Sequence, residues 1–154
     1  MANKVKPTPD GYHSITPYLI VKGAAAAIDY YKDIFGAHEL LRIPHGDGRI
    51  GHAELKIGDS VIMLADEFPE MNTVSPKTLG NSPVGLMVYV DDVDAVFAKA
   101  VAKGGAVYKD LADQFYGDRN GTITDPFGHK WTIATHKEDV SPEEMQRRMA
   151  ATSK

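Results

Sequence analysis

The feature of this chain that most restricts its fold is an internal repeat. Residues 16–37 (TPYLIVKGAAAAIDYYKDIFGA) and residues 85–106 (GLMVYVDDVDAVFAKAVAKGGA) follow one plan: an apolar strand ending in Val, a helix, and a Gly-Ala pair. The downstream segments also correspond, because IGDSV at residues 57–61 and FGHKW at residues 127–131 each turn at a glycine into an apolar strand. Such a repeat constrains the whole architecture. We therefore predict that a βαβββ unit occurs twice.

Size and composition are those of one globular domain spanning residues 1–154. The formal net charge is −4, so no basic field is present to attract nucleic acid. Cysteine is absent, which removes disulfides and thiolate chemistry and agrees with a reducing compartment. The polar N-terminus lacks the apolar core of a signal peptide, and no apolar run reaches membrane-spanning length. We therefore predict a cytoplasmic protein with no nucleic-acid or membrane partner.

Periodicity and turn residues place the elements of each unit. A first module over residues 14–65 is expected to have strands at 15–21, 39–43, 50–57 and 61–64 and a helix over Ala24–Phe35. A second module over residues 83–135 is expected to have strands at 84–90, 106–108, 121–124 and 130–134 and a helix at 93–103. Residues 66–82 are predicted to be a linker. Ser141, Pro142 and Glu144 predict the start of a terminal helix over residues 140–151.

Several motifs in this frame resemble one known family. They are AIDYYKDIFGA at residues 27–37, GHAEL at 51–55, MLAD at 63–66, YVDDVDAV at 89–96, QFYGDR at 114–119 and DPFGHKW at 125–131. With the doubled βαβββ plan, they make the chain similar to the vicinal oxygen chelate superfamily, which includes glyoxalase I, bleomycin-resistance proteins, fosfomycin-resistance enzymes and extradiol dioxygenases. Within it, the chain most resembles the PhnB-like, glyoxalase-like branch. The resemblance implies an α+β fold of two βαβββ modules whose curved mixed sheets form a cleft, within one chain or exchanged between two, and it implies a homodimer.

The resemblance also implies where a metal would bind. In metal-dependent members, His and Glu side chains from both modules hold a divalent cation that chelates two substrate oxygens and acts as a Lewis acid. The corresponding positions here are Thr16, Ile62 or a neighbour within residues 61–64, Gly85 and Thr132. None of them is His, Asp or Glu, and a threonine hydroxyl is a poor ligand for these metals. We therefore predict the fold without the usual metal site and without a cofactor.

The third strand of the first module carries the strongest catalytic candidates. Strand alternation places His52 and Glu54 on one face and an apolar set, which should pack on a helix, on the other. The pair is open to three interpretations: a solvated strand face, a ligand-binding or proton-transfer pair, or metal ligands. Because histidine titrates near neutrality, acid–base chemistry is feasible.

A second set of candidates is expected to bind the ligand. Tyr18 in the first module and Met87 and Tyr89 in the second would give the cleft an aromatic, apolar lining that suits a mid-sized hydrophobic molecule. Thr132 shares their expected face. Tyr116 and Arg119 complete the candidate ligand-binding residues. Arg119 either binds a carboxylate or phosphate, or holds the loop in a network with Asp118.

The remaining histidines and the tryptophan are assigned structural roles. His129 lies at the turn into the last strand, where a turn or capping role is favoured over catalysis. Trp131 is predicted to fill the core between sheet and helix. A final group is expected to be solvated in loops and tails: His13, His45 and His136.

Two functions of different classes follow. In the first, the chain is a glyoxalase-like protein that binds a small, partly aromatic or apolar molecule in the inter-module cleft without a metal. In the second, it is a lyase, isomerase or dioxygenase-type enzyme that uses His52, Glu54 and Arg119, or an unusual metal set. The missing metal ligands favour the first, and the polar strand face favours the second. Motifs for a phosphate-binding loop, a nucleophile elbow or an HExxH metalloprotease are absent from the sequence.

Overall fold

The structure, a computed structural model, describes residues 4–153. Its elements, in chain order, are β1 (Tyr18–Val21), α1 (Ala24–Phe35), β2 (His38–Pro44), β3 (Ile50–Ile57), β4 (Ser60–Asp66), a 3-10 helix (Pro69–Met71), α2 (Pro76–Leu79), β5 (Gly85–Tyr89), α3 (Val93–Ala102), β6 (Ala106–Asp113), β7 (Asp118–Thr124), β8 (Lys130–His136) and α4 (Pro142–Thr152). The chain divides into two compact units between Asn81 and Ser82. Two four-stranded sheets, each in a βαβββ order, confirm the predicted α+β class. Within residues 4–153, no helix is long and apolar enough to cross a membrane.

The first sheet has the strand order β1-β4-β3-β2, with β1 parallel to β4 and the other pairs antiparallel. One face is apolar and packs under α1, whose apolar residues recur at helical spacing. The buried apolar residues that the strands contribute to this face include Leu19, Val21, Ala53, Leu55, Ile57, Ile62 and Leu64. The helix ends where Gly36 takes φ 63°, a left-handed conformation that glycine adopts without strain. The opposite face, called the open face of the first sheet, carries His52 and Glu54.

The second sheet repeats this plan with the order β5-β8-β7-β6. Its helix, α3, packs Val93, Phe97 and Ala100 against one face, which includes Ile123, Trp131 and Ile133. Gly121 permits the close approach, because a Cβ there would lie 2.6 Å from the Phe97 Cε2 atom. Trp131 is 3% exposed and its indole nitrogen donates to Asp125 Oδ2 at 2.9 Å, which confirms its predicted core position.

The repeat extends to the joint between the last strand and the helix of each unit. In the first unit, Asp66 Oδ1 accepts hydrogen bonds from the backbone N–H groups of Gly23 and Ala24, both at 2.9 Å. In the second unit, Thr135 Oγ1 accepts from the N–H of Val93 at 3.0 Å, at the start of α3. Each side chain therefore satisfies donors that a helix N-terminus leaves without an internal partner.

Several strands differ in extent from the prediction. β1 begins at Tyr18 rather than residue 15, because Pro17 has no N–H and contributes only its carbonyl, which accepts from Met63 N at 2.9 Å. β6, β7 and β8 are longer than predicted, because their additional residues are mostly polar and give no alternating apolar pattern from which a strand could be recognised. His136 consequently ends a strand, where it contacts Asp118, so its predicted place in a loop or tail is wrong, while its side chain is exposed as predicted. The predicted linker contains the 3-10 helix and α2.

Candidate functional site

The open face of the first sheet brings polar side chains from adjacent strands together. Pairing of Tyr18 with Met63 and of Glu54 with Met63 places these three positions side by side across β1, β4 and β3. His52 lies two residues from Glu54 and therefore on the same face. The side chains of His52 and Glu54 are 25% and 12% exposed, whereas Ala53 and Leu55 between and beside them are fully buried. The predicted alternation of β3 is confirmed.

A continuous hydrogen-bond chain links these groups. The Tyr18 hydroxyl lies 2.8 Å from His52 Nδ1, and His52 Nε2 lies 3.0 Å from Glu54 Oε1. The Tyr12 hydroxyl, from the segment before β1, donates to the other Glu54 oxygen. With a neutral imidazole, Tyr18 donates to Nδ1 while the Nε2–H donates to Glu54, so each group in the chain has a defined donor or acceptor role.

The charges of Glu54 and of the two tyrosines in this hydrogen-bond chain follow from their contacts. The hydrogen bonds from His52 and then Tyr12 hold the pKa of Glu54 below its ordinary value, so it is a carboxylate at neutral pH. The hydrogen bond to Glu54 raises the pKa of Tyr12, and burial followed by the Glu54 charge raises that of Tyr18. Both tyrosines are therefore neutral phenols. The imidazole of His52 therefore lies between a neutral phenol and a carboxylate, each within hydrogen-bonding distance of one ring nitrogen.

The positions implied for a metal can now be placed on each sheet by itself. Ile62 pairs with Leu55 and is 5% exposed, so it lies on the helix-covered face and not on the open face of the first sheet. Met63, one of the neighbours allowed by the prediction, lies on the open face instead. The position that corresponds to a metal ligand is therefore Met63 and not Ile62. In the second sheet, Thr132 pairs with Met87 and its hydroxyl lies 2.8 Å from that of Thr122.

The second unit contains a cavity of about 590 Å³. It is bounded by the ends of β5, β7 and β8, by the turn before β7, and by α4. The lining residues are Tyr89, Phe115, Tyr116, Asp118, His136, Met145, Gln146 and Met149. Three aromatic rings and two methionines make most of this wall apolar.

A buried carboxylate forms part of the cavity wall. Asp118 is 4% exposed; its Oδ2 accepts from the Tyr89 hydroxyl at 2.9 Å, and its Oδ1 lies 2.7 Å from His136 Nδ1. The other imidazole nitrogen of His136 lies 2.7 Å from Asp139 Oδ1. These two carboxylates, Asp118 first, raise the pKa of His136 above its ordinary value. Asp118, His136 and Asp139 therefore form one charged network beside the cavity.

Tyr116 lines the same cavity and is held by a hydrogen bond from β7. Its hydroxyl accepts from Asn120 Nδ2 at 2.7 Å, so the hydroxyl proton is not used in that bond. The helix that closes this side is fixed by Arg148, which donates to the Phe115 carbonyl at 3.1 Å and pairs with Glu138 at 2.8 Å. Met145 and Met149, one helical turn apart, thereby face the lining.

The structure brings together some of the predicted ligand-binding residues and separates others. Tyr89 and Tyr116 both line the cavity, while Met87 and Thr132 lie on the same face of the sheet outside its lining. Arg119 lies on the opposite face, where it pairs with Asp94 of α3 at 2.8 Å. It also contacts Asp113 at 3.3 Å, so its loop-holding partners are these two residues and not Asp118.

Sequence reasoning missed other residues of these sites. Tyr12 has no predicted role, because no local signal shows its bond to Glu54. Asp118 and His136 follow the alternation of their strands, which would have placed them on one face had the strands been given their full length. The spacing of Met145 and Met149 also indicated one apolar stripe on α4.

Comparison with known proteins gives one consistent relationship. The model of the Glyoxalase/Bleomycin resistance protein/Dioxygenase superfamily matches residues 11–133. A Mycobacterium bovis protein named "Uncharacterized protein Mb0911c" is 40% identical over 141 residues, which are 90% of this chain and 93% of that protein. Among solved structures, TioX from Micromonospora sp. ML1 has a TM-score of 0.62 at 29% identity, with 84% of this chain and 100% of that chain covered. PA1353 from Pseudomonas aeruginosa has a TM-score of 0.69 at 25% identity, with 82% and 99% covered.

Proposed function

This chain belongs to the glyoxalase/bleomycin resistance protein/dioxygenase superfamily, and from that premise we propose that it binds a small, partly aromatic or apolar molecule in the cavity of its second unit. The observation that carries the proposal is the cavity itself, of about 590 Å³, walled by Tyr89, Phe115, Tyr116 and two methionines. Concave sites of this size, with apolar walls and a few placed polar groups, are typical of small-molecule binding. Methionine side chains add an adaptable surface for flat ligands.

We propose that binding proceeds without the superfamily's usual metal, because the residues present do not fit one. The positions implied for a metal include Met63 on the open face of the first sheet, and Gly85 and Thr132 on the second sheet. None of these three residues offers an imidazole or a carboxylate. The Thr132 hydroxyl is already hydrogen-bonded to Thr122. In the part of the chain that the structure describes, no group of three or more His, Cys, Asp or Glu side chains is arranged to hold a metal ion.

Binding of 2-naphthol, measured by isothermal titration calorimetry, tests this proposal. We expect saturable binding to the wild-type protein, and Gln146→Trp should weaken it at least tenfold because the larger side chain enters the cavity from α4. Ala151→Trp is the matched control, since this exposed residue lies on the same helix away from the lining face. Equal affinities of the two variants, or no binding to the wild-type protein, would contradict the proposal.

The hydrogen-bond chain on the first sheet favours a second candidate function, an isomerase-type enzyme. In this scheme the Tyr18 oxygen takes a proton from a carbon beside a substrate carbonyl while the Tyr18 proton passes to His52 Nδ1, 2.8 Å away. The resulting imidazolium is stabilised by Glu54, 3.0 Å from Nε2. The substrate becomes an enolate, and return of the proton to a different atom completes the isomerisation.

Exchange of the carbon-bound hydrogens of dihydroxyacetone in D₂O, followed by NMR, tests this second candidate. The wild-type protein should accelerate exchange, and Tyr18→Phe should reduce the protein-dependent rate about 100-fold, because the relay loses its hydroxyl. Tyr108→Phe, which alters an exposed tyrosine of the second unit, should leave the rate unchanged. A rate that is the same for the wild-type protein and Tyr18→Phe would exclude a proton relay through Tyr18.

A further inference from the structure

The cavity of the second unit combines an apolar wall with a buried negative charge. Asp118 lines the cavity and is 4% exposed, and its surroundings include three aromatic rings. A carboxylate removed from water loses solvation that an apolar wall does not replace, so it remains ionised only with charged or hydrogen-bonding partners. Here the partners are the Tyr89 hydroxyl and His136.

The charges around the network leave it with a net negative charge. Asp118 on β7 and Asp139 before α4 share a single cationic partner, His136 on β8. From β5, Tyr89 contributes a neutral hydroxyl, because its hydrogen bond to Asp118 raises its pKa. On α4, Arg148 pairs with Glu138 and Glu144, and Arg147 pairs with Glu144, so both arginines have carboxylate partners of their own.

The lining residues themselves favour a cation over an anion. Among the described residues that line the cavity, none is Lys or Arg, and the one cationic group, His136, is shared between Asp118 and Asp139, so an anionic ligand would meet no unpaired positive charge there. The faces of aromatic rings carry partial negative charge and attract ammonium groups, most strongly where water is excluded. Tyr89, Phe115 and Tyr116 supply three such rings beside Asp118.

We propose that the molecule held in this cavity is cationic, an aromatic compound that carries an amine or ammonium group, recognised by the Asp118 carboxylate together with the rings of Tyr89, Phe115 and Tyr116. This inference rests on the proposed binding function and specifies its ligand class. The aromatic part of the ligand packs against the methionines of α4, and the charged group lies toward β7.

Three probes of matched shape test the inference on the wild-type protein. They are 2-naphthylmethylamine, which is a cation at pH 7, 2-naphthylmethanol, which is neutral, and 2-naphthoate, an anion. We expect the amine to bind at least tenfold more tightly than the alcohol, and the carboxylate to bind most weakly. If the alcohol binds as tightly as the amine, the inferred charge is wrong and the proposed binding function stands. If no probe and no 2-naphthol binds, both are wrong.

Variants identify the group that recognises the charge. Asp118→Asn should remove the preference for the amine over the alcohol, while Asp113→Asn, an exposed carboxylate that pairs with Arg119 on the opposite face, should preserve it. Because Asp118 is buried, Asp139→Asn serves as a second variant that removes a fully exposed charge of the same network. It should lower the preference several-fold. An unchanged preference in Asp139→Asn and in folded Asp118→Asn would overturn the inference.

The pH dependence of amine binding provides an independent measurement. Asp118 and Asp139 raise the pKa of His136 above 6.5, so the imidazolium loses its proton as the pH rises through that raised value. The network then changes from one net negative charge to two. Affinity for 2-naphthylmethylamine should therefore increase up to pH 8, where the amine remains protonated, while affinity for 2-naphthylmethanol stays constant. An amine affinity that falls over this range would contradict the inference.

Discussion

Replacement of Asp66 by alanine is expected to lower the free energy of unfolding by about 4 kcal/mol, because it leaves three backbone donors without acceptors. Asp66 is 8% exposed, and its two oxygens accept from Gly23 and Ala24 at 2.9 Å and from Ile50 at 2.7 Å. One side chain thus joins the end of β4 to the start of α1 and the start of β3. The loss should lower the melting temperature by roughly 10 °C. Urea denaturation followed by circular dichroism measures it.

Two comparisons separate this effect from the loss of a surface charge. Asp59→Ala removes an exposed carboxylate in the β3–β4 turn and should change the free energy of unfolding by less than about 0.5 kcal/mol. Asp66→Asn retains one carbonyl oxygen for Gly23 and Ala24 but presents an amide N–H₂ to Ile50, so its destabilisation should lie between the two. If Asp66→Ala and Asp59→Ala have the same stability, the three hydrogen bonds do not hold the unit together.

The repeat and the alternation of apolar residues predict most of the fold. The predicted bounds of α1 (Ala24–Phe35) and β3 (Ile50–Ile57) agree with those found, because each element buries one face and its apolar residues follow the period of that element. Trp131 was placed in the core for the same reason. Burial on one face is a local property that a sequence pattern records.

The candidate site in the second unit was less predictable, because its residues meet only through tertiary contacts. The sequence predicts Asp118 and His136 in a loop and a tail, although strand pairing places them opposite each other at the ends of β7 and β8. The cavity also requires α4 to return to the turn before β7, a contact made by Arg148 and the Phe115 carbonyl. Neither a periodicity nor a spacing in the sequence predicts this contact between α4 and the turn before β7.

Gly117 lies where the turn before β7 contacts the segment that leads from β8 to α4. Gly117→Ala is expected to lower the free energy of unfolding by more than about 3 kcal/mol. The residue has φ 100°, which L-residues with a Cβ rarely adopt, and a Cβ there would overlap the Glu138 carbonyl oxygen. Rotation of a side chain cannot relieve a clash with backbone, so the segment after β8 must move. That movement breaks the hydrogen bonds from the N–H groups of Lys137 and Glu138 to the Gly117 carbonyl, at 2.9 and 3.0 Å.

Gly58→Ala is the matched control, because it separates the clash from the backbone conformation. Gly58 also has a positive φ, 57°, in the β3–β4 turn, but a Cβ there would meet no atom within 4 Å, so the variant should lose only about 1 kcal/mol. The two variants should also differ in binding. Displacement of the segment from Lys137 onward moves Asp139 and α4 away from Tyr116, so Gly117→Ala should lose 2-naphthol binding while Gly58→Ala retains it. Equal losses of stability in Gly117→Ala and Gly58→Ala would show that the segment after β8 accommodates the added Cβ without strain. Retained binding in Gly117→Ala would show that the cavity does not depend on the return of α4.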